Sequence, residues 1–356
     1  MKNELNRIFQ VAAVFIGTIV GAGLASGQEI TEFFTAYGPL SFVGIIICGV
    51  FYIAIGIIVS KISILYKLDS YSDVIKVISP NILGKITGLI TTLYLISSAS
   101  IILAGSGALI NQFFGIPKII GSLIMIVLSI FFLLRETEGL IEVNSFIVPT
   151  LLFTIISIAI LYFLFCRDML SLDFISQFEP RKKGIVLSTI LYAGYNTLCC
   201  LGVLVPLSNQ TRKPKTMFYG VALGAIGLAF LSFMINLMLM INQPYIFEYE
   251  IPLLFVAQRF GHIIQALLLV VIWLEMFSTE ISDVYSISKT LEQTFNIKFK
   301  KGIFIVLAIA LPVSQIGFST LITSLYPMFG LLSLVFISQC IYFYFKHRKE
   351  LNALPK

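Results

Sequence analysis

The sequence predicts an all-α integral membrane protein of ten transmembrane helices, arranged as a 5+5 inverted repeat with helices one and six broken. Three observations predict it. Hydrophobic residues make up 58% of the 356 residues and charged residues only 12%, with a mean hydropathy of +0.97; soluble domains carry about 25% charge. The apolar runs are long enough to cross a bilayer, which takes about 20 residues. Two runs at matching places in the two halves are interrupted by glycine and polar residues, a pattern that points to inverted-repeat transporters. Little chain is left outside the membrane. Residues 1–356 therefore read as one transmembrane domain, with repeats over about 7–165 and 184–345.

The spans run over about 7–36, 39–65, 82–113, 117–135, 140–165, 184–208, 215–242, 260–290, 302–318 and 320–345. Spans one, three and eight exceed the minimum length, so tilt or breaks are expected. The segment Asp69–Pro80 is amphipathic and lies along the surface; Ile251–Phe260 reads as a short helix in an outer loop. With the N-terminus inside, eighteen of the 24 lysines and arginines fall on the cytoplasmic side and six outside, so both termini are cytoplasmic. The cluster Arg181-Lys182-Lys183 is the outlier, on the outer face. The net charge of +6 follows from this bias and calls for no nucleic-acid partner. The first apolar run continues past any cleavage site and reads as a span, not a removable signal. The five cysteines lie mostly inside spans and read as small apolar side chains. His262 and His347 sit far apart at segment ends, so no zinc constellation and no cofactor are expected.

Span one holds Gly17-Thr-Ile-Val-Gly-Ala-Gly-Leu-Ala-Ser-Gly27. Each glycine costs about 1 kcal/mol relative to alanine in a helix. Bare backbone in hydrocarbon is worse unless protein or a water-filled cavity covers it. The stretch reads as a break whose backbone faces a ligand. Glu29 and Glu32 follow on one helical face. They either gate an outer vestibule, bind a cation or exchange protons, or they form the solvated end of a helix surfacing near Tyr37-Gly-Pro. Span three carries Ser97, Ser98, Ser100, Gly105, Ser106 and Gly107, read first as close helix packing. Asn144 and Pro149 in span five, and Tyr326-Pro327 in span ten, read as kink or packing features.

Span six contains Tyr192-Ala-Gly-Tyr-Asn-Thr197. This is either a second break or a packed interhelical asparagine with a glycine contact. Span eight has the densest polar run, Trp273 to Ser286. At 100° per residue, Glu275, Ser278, Thr279, Ser282 and Ser286 share one face, Asp283 sits at its edge and Glu280 points elsewhere. A mid-membrane carboxylate costs about 2.5–3.5 kcal/mol on insertion scales, so Glu275 reads as functional. Asp283 reads either likewise or as the partner of a cytoplasmic lysine such as Lys289. Hydroxyls, carbonyls and a carboxylate are oxygen ligands suited to a small cation.

Taken together, the glycine-broken span one, the interrupted span six and the hydroxyls of span eight resemble the LeuT-fold transporters, which include the amino acid–polyamine–organocation superfamily. More narrowly, Val20-Gly-Ala-Gly-Leu-Ala-Ser-Gly-Gln-Glu29 is similar to the YkvI-like family of predicted bacterial amino acid permeases, over essentially the whole chain. The resemblance implies a multi-pass protein of the bacterial plasma membrane. By the motif Gly17-Thr-Ile-Val-Gly-Ala-Gly23 it implies that the carbonyls of Gly17 and Val20 face a cation. By Phe277-Ser-Thr-Glu-Ile281 it implies that Ser278 and Thr279 add hydroxyl oxygens and Glu275 its carbonyl, five oxygens suited to sodium. The substrate would lie against Thr18, Ile19, Ala22 and Gly23, and against Tyr192, Ala193, Gly194 and Asn196 of span six. Tyr94 is a candidate contact from span three. At Glu275 the chain departs from the sodium symporters, which have a small neutral residue there, so a glutamate could carry a proton instead.

The expected function is cation-coupled secondary transport of a small amino-acid-like solute by alternating access, with sodium preferred over the proton. The alternatives are a proton-coupled permease of another small organic solute and, further off, a channel, which would need a continuous polar path. The expected partners are the solute, the coupling cation and the lipid bilayer. An enzyme is not expected: there is no metal-binding histidine pair, Gly-x-Ser-x-Gly turn or phosphate loop. The glycine stretch lacks the preceding strand of a dinucleotide site.

Overall fold

A computed structural model describes residues 2–78, 82–134, 140–166 and 171–352. Arg135, Arg167 and Lys356 of the charge count, and Pro80 at the end of the amphipathic segment, lie outside the described residues. The described chain is helical throughout, with helices over each expected span. The first span is divided into α1 (Lys2–Ile19), α2 (Ala22–Ser26) and α3 (Gln28–Phe33). A 3-10 turn over Thr35–Leu40 leads into α4 (Ser41–Tyr66), followed by α5 (Tyr71–Ile78), the expected amphipathic segment. Then come α6 (Ile82–Phe114), α7 (Lys118–Leu134), α8 (Leu140–Phe165) and the short α9 (Leu172–Ser176). The second half holds α10 (Ile185–Thr211), α11 (Pro214–Met240), the short α12 (Pro252–Gln258), α13 (His262–Phe295), α14 (Phe299–Ser314) and α15 (Phe318–Lys346), ending in α16 (Arg348–Asn352).

Six helices among the described residues are long and apolar enough to cross a membrane: Thr35–Tyr66, Ile96–Phe114, Ile185–Thr211, Pro214–Met240, His262–Lys289 and Phe318–Lys346. Lys118–Leu134 and Pro149–Phe165 are shorter apolar helices. Three of the four remaining spans fall short for local reasons: the first is divided by its break, and α7 and α14 have only 17 and 16 residues.

The helices pack in two groups. In one, α1, α4, α10 and α11 lie together; in the other, α6, α7, α13 and α14; α15 bridges α10 and α6. Glycine makes the close approaches possible. A Cβ on Gly220 or Gly224 of α11 would press into Val11 or Phe15 of α1, and one on Gly107 or Gly121 would close the α6–α7 contact. Without a hydrophobic drive between helices in lipid, such backbone-close contacts carry the association.

The expected break in span six is absent. α10 runs unbroken from Ile185 to Thr211. Its polar residues satisfy themselves within the helix. Asn196 Nδ2 donates to the Tyr192 carbonyl (3.2 Å), Thr197 Oγ1 to that of Ala193 (2.7 Å) and Cys199 Sγ to that of Tyr195 (3.2 Å). Gly194 does not loosen the helix. It lets α10 meet α15, since a Cβ there would press on Ser333, while a Cβ on Gly330 of α15 would overlap the Leu191 carbonyl. The glycine of span six is therefore a packing glycine, whereas that of span one accompanies a true break.

Gly330→Ala should thus destabilise the protein by about 1–3 kcal/mol, the usual cost of overpacking, read as a lower Tm in detergent. Gly21→Ala should leave Tm unchanged, because Gly21 has ordinary extended torsions and no atom within 4 Å of its would-be Cβ. Equal Tm values for the two variants would contradict this packing account.

Candidate functional site

The break falls at Val20 and Gly21. Gly21 is extended, with φ −100° and ψ −171°, and its N–H turns to the Ile19 carbonyl (2.9 Å). In a continuous helix that N–H would bond to Gly17, so the Gly17 carbonyl is released from its helical partner. Helical bonding resumes when Ala25 N–H reaches the Gly21 carbonyl (2.9 Å). A second bend comes at Gly27, whose φ of 81° lies in the left-handed region that glycine tolerates. Freed carbonyls at such a break face a cation or water when the chain is covered by protein.

On the other side, α13 packs against α2, the segment just past the break. Glu275 and Ser278 are buried, and Thr279 is half-buried. The Thr279 hydroxyl donates to the Glu275 carbonyl (3.0 Å) and Ser282 to that of Ser278 (3.0 Å). Spending their protons on their own helix leaves the hydroxyl lone pairs available to a cation. Further along this face Ser282 and Ser286 are exposed. Of the expected substrate residues, Thr18 turns its hydroxyl onto the Val14 carbonyl (2.8 Å). Ile19, Ala22 and Gly23 are buried beside the break, and Tyr192, Ala193, Gly194 and Asn196 are buried in α10. Gly194 faces α15. Ile19 and Tyr192 line one shallow crevice with Tyr52, Cys48 and Ser232, too small as it stands to hold more than a water. Asp283 does not pair with Lys289, which bonds Glu292 (2.8 Å); its carboxyl is in reach of the Ser98 hydroxyl on α6.

The two glutamates after the break differ. Glu29 is 3% exposed and accepts a hydrogen bond from the Tyr192 hydroxyl at 2.8 Å, with the Tyr326 hydroxyl also in reach. Its carboxyl folds back under α2, where a Cβ on Gly23 would overlap it. Gly23 therefore makes room for Glu29. Glu32 is half-buried and forms an ion pair with Lys182. The backbone N–H groups of Arg181 and Lys182 both donate to the Ala36 carbonyl (2.8 and 3.0 Å), and the Arg181 guanidinium stacks over Phe247 at 3.8 Å. The basic cluster that breaks the charge bias thus clips the loop before α10 onto the turn after α3.

Sequence reasoning missed the aromatic seal around Glu29. Tyr195 and Tyr326 stack with ring centres 3.9 Å apart. Phe33 and Phe34 each lie 5.2 Å from Tyr192, and Tyr94 meets Tyr195 at 5.6 Å and Phe329 at 5.5 Å. The spacing of Tyr192 and Tyr195, one turn apart on α10, was the available signal. Together α3, α6, α10 and α15 close one side of the break with rings and a buried carboxyl. The α13 hydroxyl face is open along Ser282 and Ser286.

No family model matches the chain. It is 30% identical over 337 residues, 95% of this chain and 96% of the relative, to the uncharacterized membrane protein YkvI of Bacillus subtilis (strain 168). Its structure resembles that of the Eremococcus coleocola manganese transporter with a TM-score of 0.69 at 16% identity, covering 100% of this chain and 82% of that one. It also resembles MhsT in complex with L-phenylalanine, with a TM-score of 0.62 at 15% identity over 85% and 78% of the two chains. Likeness to YkvI in sequence over nearly the whole of both chains, together with the helical architecture matched by these solved structures, establishes that the chain belongs to the YkvI-like family of LeuT-fold membrane proteins.

Proposed function

We propose that this chain is a cation-coupled secondary transporter of a small amino-acid-like solute. It crosses the bacterial plasma membrane ten times as two inverted halves, about 7–165 and 184–345, with both termini cytoplasmic. The observation that carries the reading is the break at Val20 and Gly21, where the Gly17 carbonyl loses its helical partner while α2 packs against the α13 helix that bears Ser278 and Thr279. In this reading sodium sits between the carbonyls of Gly17, Val20 and Glu275 and the two hydroxyls. The solute lies beside it, between the residues around Ile19 and Gly23 and the Tyr192 side of α10. MhsT, a structural neighbour, was solved with L-phenylalanine, which supports an amino-acid-like solute. A manganese cargo is disfavoured, since no group of three or more His, Cys, Asp or Glu among the described residues could hold a metal.

Because one broken helix would serve both ligands, filling the cation site orders the backbone the solute needs. Linkage requires the solute to tighten the cation by the same factor. The ring cluster, Glu29 and the Glu32–Lys182 pair act as the outer gate. Exposure of Ser282 and Ser286 and the open space at Gly21 support an inward-facing arrangement. A proton-coupled permease is the second reading. Glu275 favours it, because the residue is buried and one of its carboxyl oxygens has no hydrogen-bond partner.

Proteoliposomes given sodium and pH gradients separately test the coupling. Uptake of a neutral amino acid is expected to follow the sodium gradient; uptake driven by pH alone and lost in Glu275→Gln would replace sodium with the proton. Thr279→Ala should raise the sodium needed for half-maximal uptake about tenfold, equivalent to about 1.4 kcal/mol, at unchanged Tm. An unchanged sodium requirement would remove Thr279 from the site. Glu32→Gln should loosen the outer gate and make a cysteine placed at Ala36 more reactive to an impermeant thiol reagent; unaltered labelling would deny Glu32 a gating role.

A further inference from the structure

Glu280 is completely buried, and neither of its carboxyl oxygens has a hydrogen-bond partner. Native proteins leave few such groups, and each requires a reason such as a bound ion or a chemical role. Glu280 is not on the Ser278–Thr279 face of α13. At 100° per residue it aligns with Met276, Asp283 and Ile287, and Met276 lies against Gly105 of α6. Asp283, one turn further, is half-buried with one carboxyl oxygen buried and without a partner, and its carboxyl lies near the Ser98 hydroxyl of α6.

Among the described residues, no lysine, arginine or histidine pairs with Glu280. Among the described residues, Asp283 is the one charged group acting on Glu280. Tyr94 of α6 and Cys199 of α10 are the further titratable groups that feel Asp283. From α8, Tyr162 is engaged by Asn242 and the Val256 carbonyl. From α7, Lys118 pairs with Glu250. Lys300 and Lys301, which open α14, are exposed, and Lys289 of α13 bonds Glu292 and the Phe299 ring. The helices α2 and α12 contain no ionisable residue.

Two carboxylates one turn apart, Glu280 fully buried and Asp283 half-buried with one buried oxygen unpaired, repel each other and lose hydration when no cation accompanies them. A metal would need converging ligands, which the described residues do not supply. Sodium would need a shell of oxygens, yet Glu280 has no polar partner. The proton is the cation that one bare carboxyl can hold, and ionisable residues within membrane spans mark proton paths.

We propose that Glu280 and Asp283, with the Ser98 hydroxyl, form a proton-binding site between α6 and α13, separate from the cation site at the helix break. The proton moves between a carboxyl oxygen and the aqueous phase, and only an O–H bond forms or breaks. The site stands whether or not the chain carries a solute.

Infrared difference spectra between alkaline and acidic buffer test it on the full chain in liposomes, without sodium or solute. The expected result is a protonated-carboxyl C=O band that shifts in heavy water and rises on acidification. Glu280→Gln or Asp283→Asn, at wild-type Tm, should remove intensity from it. Ser98→Ala should move the band to higher frequency by removing a hydrogen bond, and it remains informative if the carboxyl variants do not fold. A band indifferent to pH, or identical in the wild type and the folded variants, would overturn the proposal. Wild-type vesicles that show the band but no uptake under either a sodium or a pH gradient would leave this site standing and defeat the transporter reading instead.

Discussion

A backbone polar group cannot be left bare in hydrocarbon, and the packing around the first span follows from that. An unsatisfied N–H or C=O there costs several kcal/mol. A span that unwinds at Val20 and Gly21 must therefore have its freed groups covered. Here α10 and α11 pack on α1, while α13 and α12 pack on α2. This arrangement covers with protein the point where the Gly17 carbonyl has lost its helical donor. The same constraint explains why α13 turns its hydroxyl protons onto its own carbonyls, as Thr279 does to Glu275. Donors are satisfied internally, and the lone pairs that remain suit a cation.

The two sides of the break have opposite characters. On one, Glu29 lies under Gly23, held by Tyr192 and walled by rings from α3, α6, α10 and α15. On the other, α13 presents a row of hydroxyls that grows more exposed from Ser278 to Ser286. The Glu32–Lys182 pair and the Arg181 stack on Phe247 lie beyond the rings and tie the loop before α10 to the first span. A partly exposed pair of this kind contributes little stability by itself. Its use is positional, acting with the two N–H donors to the Ala36 carbonyl that hold the loop on the turn after α3.

Much of this was legible in the sequence. The break in span one was readable because four glycines cluster within one apolar run, which no packing need of a single helix face explains. The continuity of span six was not, because Gly194 and Asn196 can serve either of two ends. A glycine that weakens a helix also lets a neighbour approach, and only Gly330 on the facing helix, 136 positions away in the chain, decides between them. Glu29 was recognised as unusual, but its burial depends on Tyr192 and Tyr326, brought in from distant helices. Glu280 read as an off-face acid for the same reason. The residues one turn to either side of it, Met276 and Asp283, meet α6, and helical periodicity says where a residue points but not what meets it. The Arg181–Lys183 cluster contradicted the charge bias because local anchoring to Glu32 and Ala36 competes with the topological rule.

The central claim is that the unwound backbone at Val20 and Gly21 and the hydroxyls of α13 hold a coupling cation together. Equilibrium binding of radioactive sodium to the purified protein in detergent tests it most directly, because it needs neither a solute nor a membrane. The account predicts saturable binding, strengthened by a transported amino acid and abolished when Ser278 and Thr279 are both changed to alanine in a protein that still folds. Absence of saturable sodium binding, or binding indifferent to that double change, would contradict it.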